Sequence, residues 1–249
     1  MPEHDRWVGV IPVRLASTRI PHKALQDVGG FPLVVWCWRS AVRIRCLPRV
    51  VVATDSSAIA DVLREEGAEV ALTGPQPSGT HRVAQAADQL GLHGWGVVNL
   101  QGDQPDIGSE AVQSAIEATE NGPIGTVMGA LPPGAGPECV RVWHRDGVAT
   151  DFGRSGPGGD RHIGVYAFRP GALKAAMASG PCLRGQRASL EQLAWLDSGL
   201  RIGVRRIASA PTAIDTIPQL DALRARVKAG DLPLPPSAKT LVYAGSASR

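Results

Sequence analysis

Residues 49–73, RVVVATDSSAIADVLREEGAEVALT, decide the fold. RVVVATD is a β-branched apolar run that closes on polar residues, the pattern of a buried strand. SSAIADVLREEG is an amphipathic helix with Ser56 at its N-cap and Gly67 at its close, and AEVALT is a second strand. A helix joining two apolar strands predicts a parallel α/β sheet.

Upstream, WVGVIPV (7–13) predicts a strand, followed by a polar loop containing Gly and Pro and then a helix over PLVVWCWRSAV (32–42). Downstream, the loop TGPQPSG leads into a helix over THRVAQAADQL, with Thr80 as its N-cap, and then into the strand GVVNLQGD (96–103). Ligands of open α/β sheets gather beyond the carboxyl ends of the strands, so residues 101–105 form a candidate site. From about 125 to 168, the runs GTVMGAL, ECVRVWH and HIGVYAFR alternate with turns and carry hardly any helix, which predicts a smaller mixed or antiparallel lobe. SGPGGD (155–160) is its loosest point. Further helices are expected at ALKAAMA, at ASLEQLAWLDSG and from Thr216 to Lys228, with a strand at RIGVRRI. The expected organisation is a single α/β domain over 1–230, with a mostly parallel central sheet and the mixed lobe at about 125–168, then an extended or disordered tail over 231–249.

Composition narrows the function. At 249 residues, 43% hydrophobic and 20% charged, the chain is too polar for a membrane bundle and too apolar for disorder. A net charge of +3 is too small to point to nucleic acid or another polyanion. Lys23, Lys174, Lys228 and Lys239 are the only lysines among 26 basic residues, an arginine bias that fits a high-GC genome. No apolar run nears the roughly 20 residues that span a bilayer, and MPEHDRW lacks a secretory pattern, so the expected location is cytoplasmic. Cys37, Cys46, Cys139 and Cys182 form no CxxC pair and read as free thiols.

The chemistry gathers on IPVRLASTRIPHKAL, which brings Arg14, Ser17, Thr18, Arg19 and Lys23 onto one loop after the first strand. Three cations and two hydroxyls there can surround a polyphosphate, arginine gripping paired oxygens and lysine acting as a point charge. GxxxxGK[ST] is absent, so this is no Walker loop, and taken alone the segment also reads as a solvated basic face. Asp103 and Asp215, taken alone, read as turn or cap residues. Mg²⁺ prefers oxygen ligands and commonly takes only one or two carboxylates, which such a pair could supply.

The wording of these segments resembles the CMP-Kdo synthetase family, the 3-deoxy-manno-octulosonate cytidylyltransferases, whose signature is close to IPARxxSTRxPxKxL followed by a glycine turn. VVATD (51–55), SGTHR (78–82), VNLQGDQP (98–105), RHIGVYAFRP (161–170), SLEQLAWL (189–196) and IDTIPQL (214–220) resemble further family motifs in the family's order. The resemblance implies a Rossmann-like nucleotidyltransferase fold and an enzyme that uses CTP and Mg²⁺ to attach CMP to an acidic acceptor, releasing pyrophosphate. It implies that Arg14, Ser17, Arg19 and Lys23 hold the triphosphate and that Ser78, Gly79, Thr80 and Arg82 lie near cytosine and ribose. It further implies that Asp103 and Asp215 bind the metal, with Arg14, Lys23 and Asp103 at the reacting centre. Gln101, Arg154, His162, Tyr166 and Glu191 match acceptor-side positions, and a homodimer is typical of the family.

Several positions depart from the pattern. His81 and Gln104 stand where the family has acids, Arg141 stands for a lysine, and only SGPGGD separates Arg154 from Arg161 where the family has a longer segment. These departures lead to the expectation of a small phosphonate acceptor such as phosphonoformate, with Kdo as the alternative. A CTP-binding regulatory protein without turnover and a glycosyltransferase using a preformed nucleotide sugar are the alternatives of other classes. His22, His81, His93 and His144 are assigned no chemical role.

Overall fold

The computed structural model describes residues 6–17 and 19–236. In chain order the strands and helices are β1 (Trp7–Val13), β2 (Asp27–Val28), β3 (Phe31–Pro32), α1 (Leu33–Ala41), β4 (Arg49–Thr54), α2 (Ser57–Glu65), β5 (Glu69–Leu72), α3 (Gly79–Gln89), β6 (Gly96–Asn99), α4 (Ser109–Ala118), β7 (Ile124–Gly129), β8 (Arg141–Arg145), β9 (Val148–Gly153), β10 (Asp160–Phe168), α5 (Ala172–Ala178), α6 (Leu183–Ala188), α7 (Gln192–Asp197), β11 (Ile202–Arg206) and α8 (Ile217–Ala229). The described residues form two compact units, one from 7–17, 19–90, 100–108 and 211–236, the other from 6, 91–99 and 109–210. No helix among the described residues is long and apolar enough to cross a membrane.

The first unit holds the parallel sheet. β1 pairs with β4 and β4 with β5, all parallel. β4 is buried from Val50 to Thr54, the burial of a strand covered on both faces. Ser56 caps α2 by accepting the Ile59 N–H, and Gly67 follows the helix at φ 89, a left-handed close that glycine adopts without strain. α3 begins earlier than expected. Ser78, not Thr80, is its N-cap, accepting the His81 N–H, and Thr80 is buried inside the first turn. α8 opens on a capping box in which Thr216 accepts from Gln219 N–H while the Gln219 side chain accepts from the Thr216 N–H. Its apolar face joins Ile20, Val28, Leu33, Trp36 and Ile214 in one core cluster, and Leu232 and Leu234 pack against that cluster. The expected tail is therefore held down over its first residues, while residues 237–249 lie outside the described chain.

The second unit holds a mixed sheet in the order β6-β10-β7-β11-β9-β8. β10 runs antiparallel to both β6 and β7, β11 runs parallel to β7, and β8 and β9 form a hairpin turned at Asp146 and Gly147. The expected mixed lobe is part of this unit, and α4 covers its sheet. Two register-paired glycines allow that approach. A Cβ on Gly125 would lie 2.0 Å from Ala115 O, and one on Gly203 would lie 1.8 Å from Ala118 O. The helix expected over ASLEQLAWLDSG is shorter, with only α7 (Gln192–Asp197) forming within it, and the preceding α6, which was not expected, ends at Ala188 where Ser189 turns left-handed (φ 52).

Candidate active site

The first unit draws four residues of the expected site together. Lys23 sits in a one-turn 3₁₀ helix, and its ammonium donates to Asp103 Oδ2 (2.7 Å), to the Ile214 carbonyl (2.8 Å) and to Asp215 Oδ1 (3.5 Å). Arg19 reaches Asp215 Oδ1 at 2.6 Å. The backbone makes the meeting possible, since Ile214 N–H donates to Asp103 O (2.9 Å) and ties the two aspartate segments side by side. Gly102 adds a second constraint. A Cβ there would lie 2.7 Å from Val13 Cγ2 and 3.0 Å from Pro12 O, so only glycine lets the Asp103 loop rest against the end of β1. Two carboxylates and a carbonyl converging on one cation form an all-oxygen donor set, which suits Mg²⁺. Among the described residues no cluster of three or more metal-ligating side chains exists, so a metal here would keep most of its ligands as phosphate oxygens or water. Behind the cluster, burial and then the Asp103 charge push the Cys37 thiol well above its ordinary range, which keeps it neutral and unreactive.

Beside this cluster in sequence, the loop after β1 exposes Arg14 and Arg19 and half-buries Ser17, while Thr18 lies outside the described residues. Arg14 also lines a cleft of about 230 Å³ bounded by Pro12, Val13, Gln76, Pro77, Ser78, Gly79 and Arg82. The N-terminus of α3 opens on it, and free amides at a helix start favour anionic or hydrogen-bonding ligands. Arg82 lines the cleft but is anchored, its guanidinium donating to Thr73 Oγ1, Gly74 O and Asp55 Oδ2. It braces the loop rather than offering a mobile charge. Gln76 was not among the expected residues because it sits in a stretch that reads only as a Gly/Pro connection. The Gly74 N–H donates to Gln85 Oε1 (3.1 Å) and so orients that amide, and Gln76 Nε2 donates to the same oxygen (2.7 Å). That leaves Gln76 Oε1 as the acceptor of a cleft-lining amide. Gln101 is half-buried on the same segment as Asp103.

The second unit gathers the acceptor-side candidates His162, Tyr166 and Glu191. The His162 ring lies 5.2 Å from both Phe152 and Tyr166, and Tyr166 packs against Phe168 and Trp195. Thr126 Oγ1 donates to Val165 O (2.8 Å) and so meets His162 Nε2 (3.0 Å) as an acceptor, which assigns the ring proton to Nε2. Burial, with the Glu191 charge behind it, pushes the Tyr166 phenol up, and its buried hydroxyl has no partner among the described residues. Arg154 donates to the carbonyls of Ala188 (3.0 Å), Pro137 (3.2 Å) and Glu138 (3.5 Å).

His162 keeps some solvent contact, yet desolvation among these rings lowers its pKa from 6.5 to about 3. The folded state stays neutral at pH values where the unfolded chain takes up a proton, so stability is lost as pH falls below about 6.5. Between pH 6.5 and 5, wild type should lose about 1.5 kcal/mol more unfolding free energy than His162→Gln, the slope steepening below pH 6.5 toward roughly 1.4 kcal/mol per pH unit. Urea unfolding across that range checks it, and parallel pH profiles for the two proteins would refute the assignment.

The departures from the family pattern have structural reasons. Arg141 Nη1 donates to both Gly156 O (3.1 Å) and Gly158 O (3.0 Å), and Trp143 Nε1 donates to Pro157 O (3.0 Å). A guanidinium can hold several carbonyls of the short loop at once, so the arginine and the shortened segment belong to one feature. His81 Nδ1 lies 2.9 Å from the Ser78 hydroxyl that accepts the His81 N–H, so the ring joins the cap of α3. Gln104 is buried, with its Oε1 unpartnered among the described residues.

The basic loop after β1, the cleft at the start of α3 and the Asp103–Asp215 pair held by Lys23 are the parts a nucleotidyltransferase needs, and the comparisons place the chain in that class. The cytidylyltransferase family profile matches residues 8–138. A 3-deoxy-manno-octulosonate cytidylyltransferase from Chlorobaculum tepidum is 40% identical over 236 residues, covering 86% of this chain and 94% of the relative. That of Chlorobaculum parvum is 39% identical with the same coverage. A solved CMP:2-keto-3-deoxy-manno-octonic acid synthetase, complexed with CTP, superposes with a TM-score of 0.83 at 28% identity, over 91% of this chain and all of that one. The chain belongs to the CMP-Kdo synthetase family of cytidylyltransferases, and the non-catalytic and glycosyltransferase alternatives are set aside.

Proposed function

We propose that this enzyme transfers CMP from CTP to 3-deoxy-manno-octulosonate. What carries the reading is likeness along almost the whole chain to enzymes of that name, together with a CTP-complexed structural relative. This replaces the phosphonate acceptor expected from the departures. The comparisons favour the octulosonate, and the short loop braced by Arg141 and Trp143 is explained without a change of acceptor.

In this reading Arg14, Ser17 and Arg19 hold triphosphate oxygens, and the cleft at the start of α3 takes the base, with Gln76 Oε1 able to accept from an exocyclic amine. Asp103 and Asp215 would hold Mg²⁺, which when bound neutralises charge on the phosphate oxygens. An acceptor hydroxyl oxygen attacks the α-phosphorus and loses its proton to water. The α-phosphorus to bridging-oxygen bond breaks, and pyrophosphate leaves with that electron pair. Tyr166, His162 and Glu191 orient the acceptor. With a pKa of about 3, His162 acts as a neutral hydrogen-bonding group rather than a store for the proton.

Pyrophosphate release with CTP and Mg²⁺ across a panel of Kdo, phosphonoformate and a sialic acid tests the proposal. Kdo should give the highest kcat/KM, by about a hundredfold or more over the others, since each lost pocket contact costs about a factor of ten or more. A higher value with phosphonoformate would overturn it.

A further inference from the structure

We infer that Lys23 is a built-in counter-ion that occupies the metal position of Asp103 and Asp215 until a triphosphate draws it away, so that free divalent metal is excluded and metal and nucleotide enter together. The inference rests on the metal and triphosphate reading above and adds an order to it.

An ammonium group has three N–H donors, and those of Lys23 are matched by three acceptors: Asp103 Oδ2, Ile214 O and Asp215 Oδ1. In this arrangement no donor remains for a phosphate. To grip a phosphate, Lys23 must release at least one carboxylate. Conversely, a cation at metal–oxygen distance from both aspartates would fall on the position the ammonium holds, and the two positive charges would repel at short range. Capture of the phosphate and release of the carboxylates are therefore one event.

Arg19 on Asp215 is the weaker half of the device. Its side chain is 63% exposed, where solvent and salt screen the pair. Lys23 is 18% exposed and is held by a backbone carbonyl as well as both acids, so the exclusion rests on it. The benefit is chemical. A lone metal on the two aspartates would compete with the metal–nucleotide complex for the same carboxylates, whereas a tethered cation neutralises them and departs only for the correct anion.

The experiment uses Mn²⁺ alone, without nucleotide, with free Mn²⁺ measured by electron paramagnetic resonance. Lys23→Met keeps the chain length and removes the charge, and it should bind Mn²⁺ about tenfold or more tightly than wild type. Lys23→Arg keeps a cation there and should bind as weakly as wild type. The double variant Lys23→Met/Asp103→Asn should lose the gain. Thermal melting supplies a second readout, with Mn²⁺ raising the Tm of Lys23→Met and leaving wild type unchanged. Equal Mn²⁺ affinity in wild type and Lys23→Met would overturn the counter-ion role. If Asp103→Asn nonetheless weakened Mn²⁺ binding in that case, the metal site would stand, and if it did not, the metal reading would fall as well.

Discussion

Asp103→Asn should lower kcat by about a thousandfold or more at saturating CTP and Mg²⁺, with the Tm nearly unchanged. The amide keeps the shape of the carboxylate and loses the charge that, in the proposed function, holds a divalent cation against the triphosphate. The fold should survive because the structural tie at this position is the backbone bond from Ile214 N–H to Asp103 O, which the substitution leaves alone. Lys23 also keeps the Ile214 carbonyl and Asp215 as acceptors. Asp215→Asn should cost a similar factor. The double variant should fall far short of the product of the two losses, since groups acting on one ion fail as a unit. Single-turnover pyrophosphate release checks the rates, and turnover near wild type for either variant at high Mg²⁺ would refute the assignment.

The parts of this site that were legible in the sequence are those fixed by neighbours along the chain. Ser56 and Gly67 announce α2 because a cap and a left-handed close are local events, and the expected start of α8 at Thr216 holds for the same reason. Local patterns fail where several residues satisfy the same rule. Ser78, Gly79 and Thr80 can each begin a helix, and only the placement of the His81 N–H selects Ser78. They fail again at Ser189, a non-glycine residue turned left-handed without a sequence signal. The pairing of Asp103 with Asp215 was a possibility in the sequence and becomes geometry only through long-range contacts with Lys23 and Ile214. Arg154 shows the limit of motif matching. Its position agrees loosely with an acceptor residue, and the structure adds what no motif states, that Nε and one Nη hold three backbone carbonyls of its own unit. Gln76 had no motif to mark it, because its orientation is set by Gln85 from the next helix.

Gly203→Ala should destabilise the protein by about 3 kcal/mol or more, the largest stability loss expected from adding a single methyl group. The cause is steric, since Gly203 is not among the left-handed glycines and its strand conformation suits any residue. A Cβ would lie 1.8 Å from Ala118 O and 2.8 Å from Ala118 C, which are backbone atoms near the end of α4 and cannot rotate aside. The helix must lift from the sheet, and its buried residues Ala111, Val112 and Ala115 lose contacts along with it. Gly125→Ala should act in the same way, with its Cβ 2.0 Å from Ala115 O. Because Gly125 and Gly203 are register partners under one helix, the double variant should cost less than the sum, the first methyl having already opened the gap. Urea unfolding of the three variants measures this, and a loss below about 1 kcal/mol for Gly203→Ala would show that α4 gives way without strain. The same displacement should reach catalysis. Gly125 pairs with Ala167 of β10, next to the Tyr166 and Thr126 pair, so if Tyr166 orients the acceptor as in the proposed function, the surviving folded fraction should show a raised KM for it.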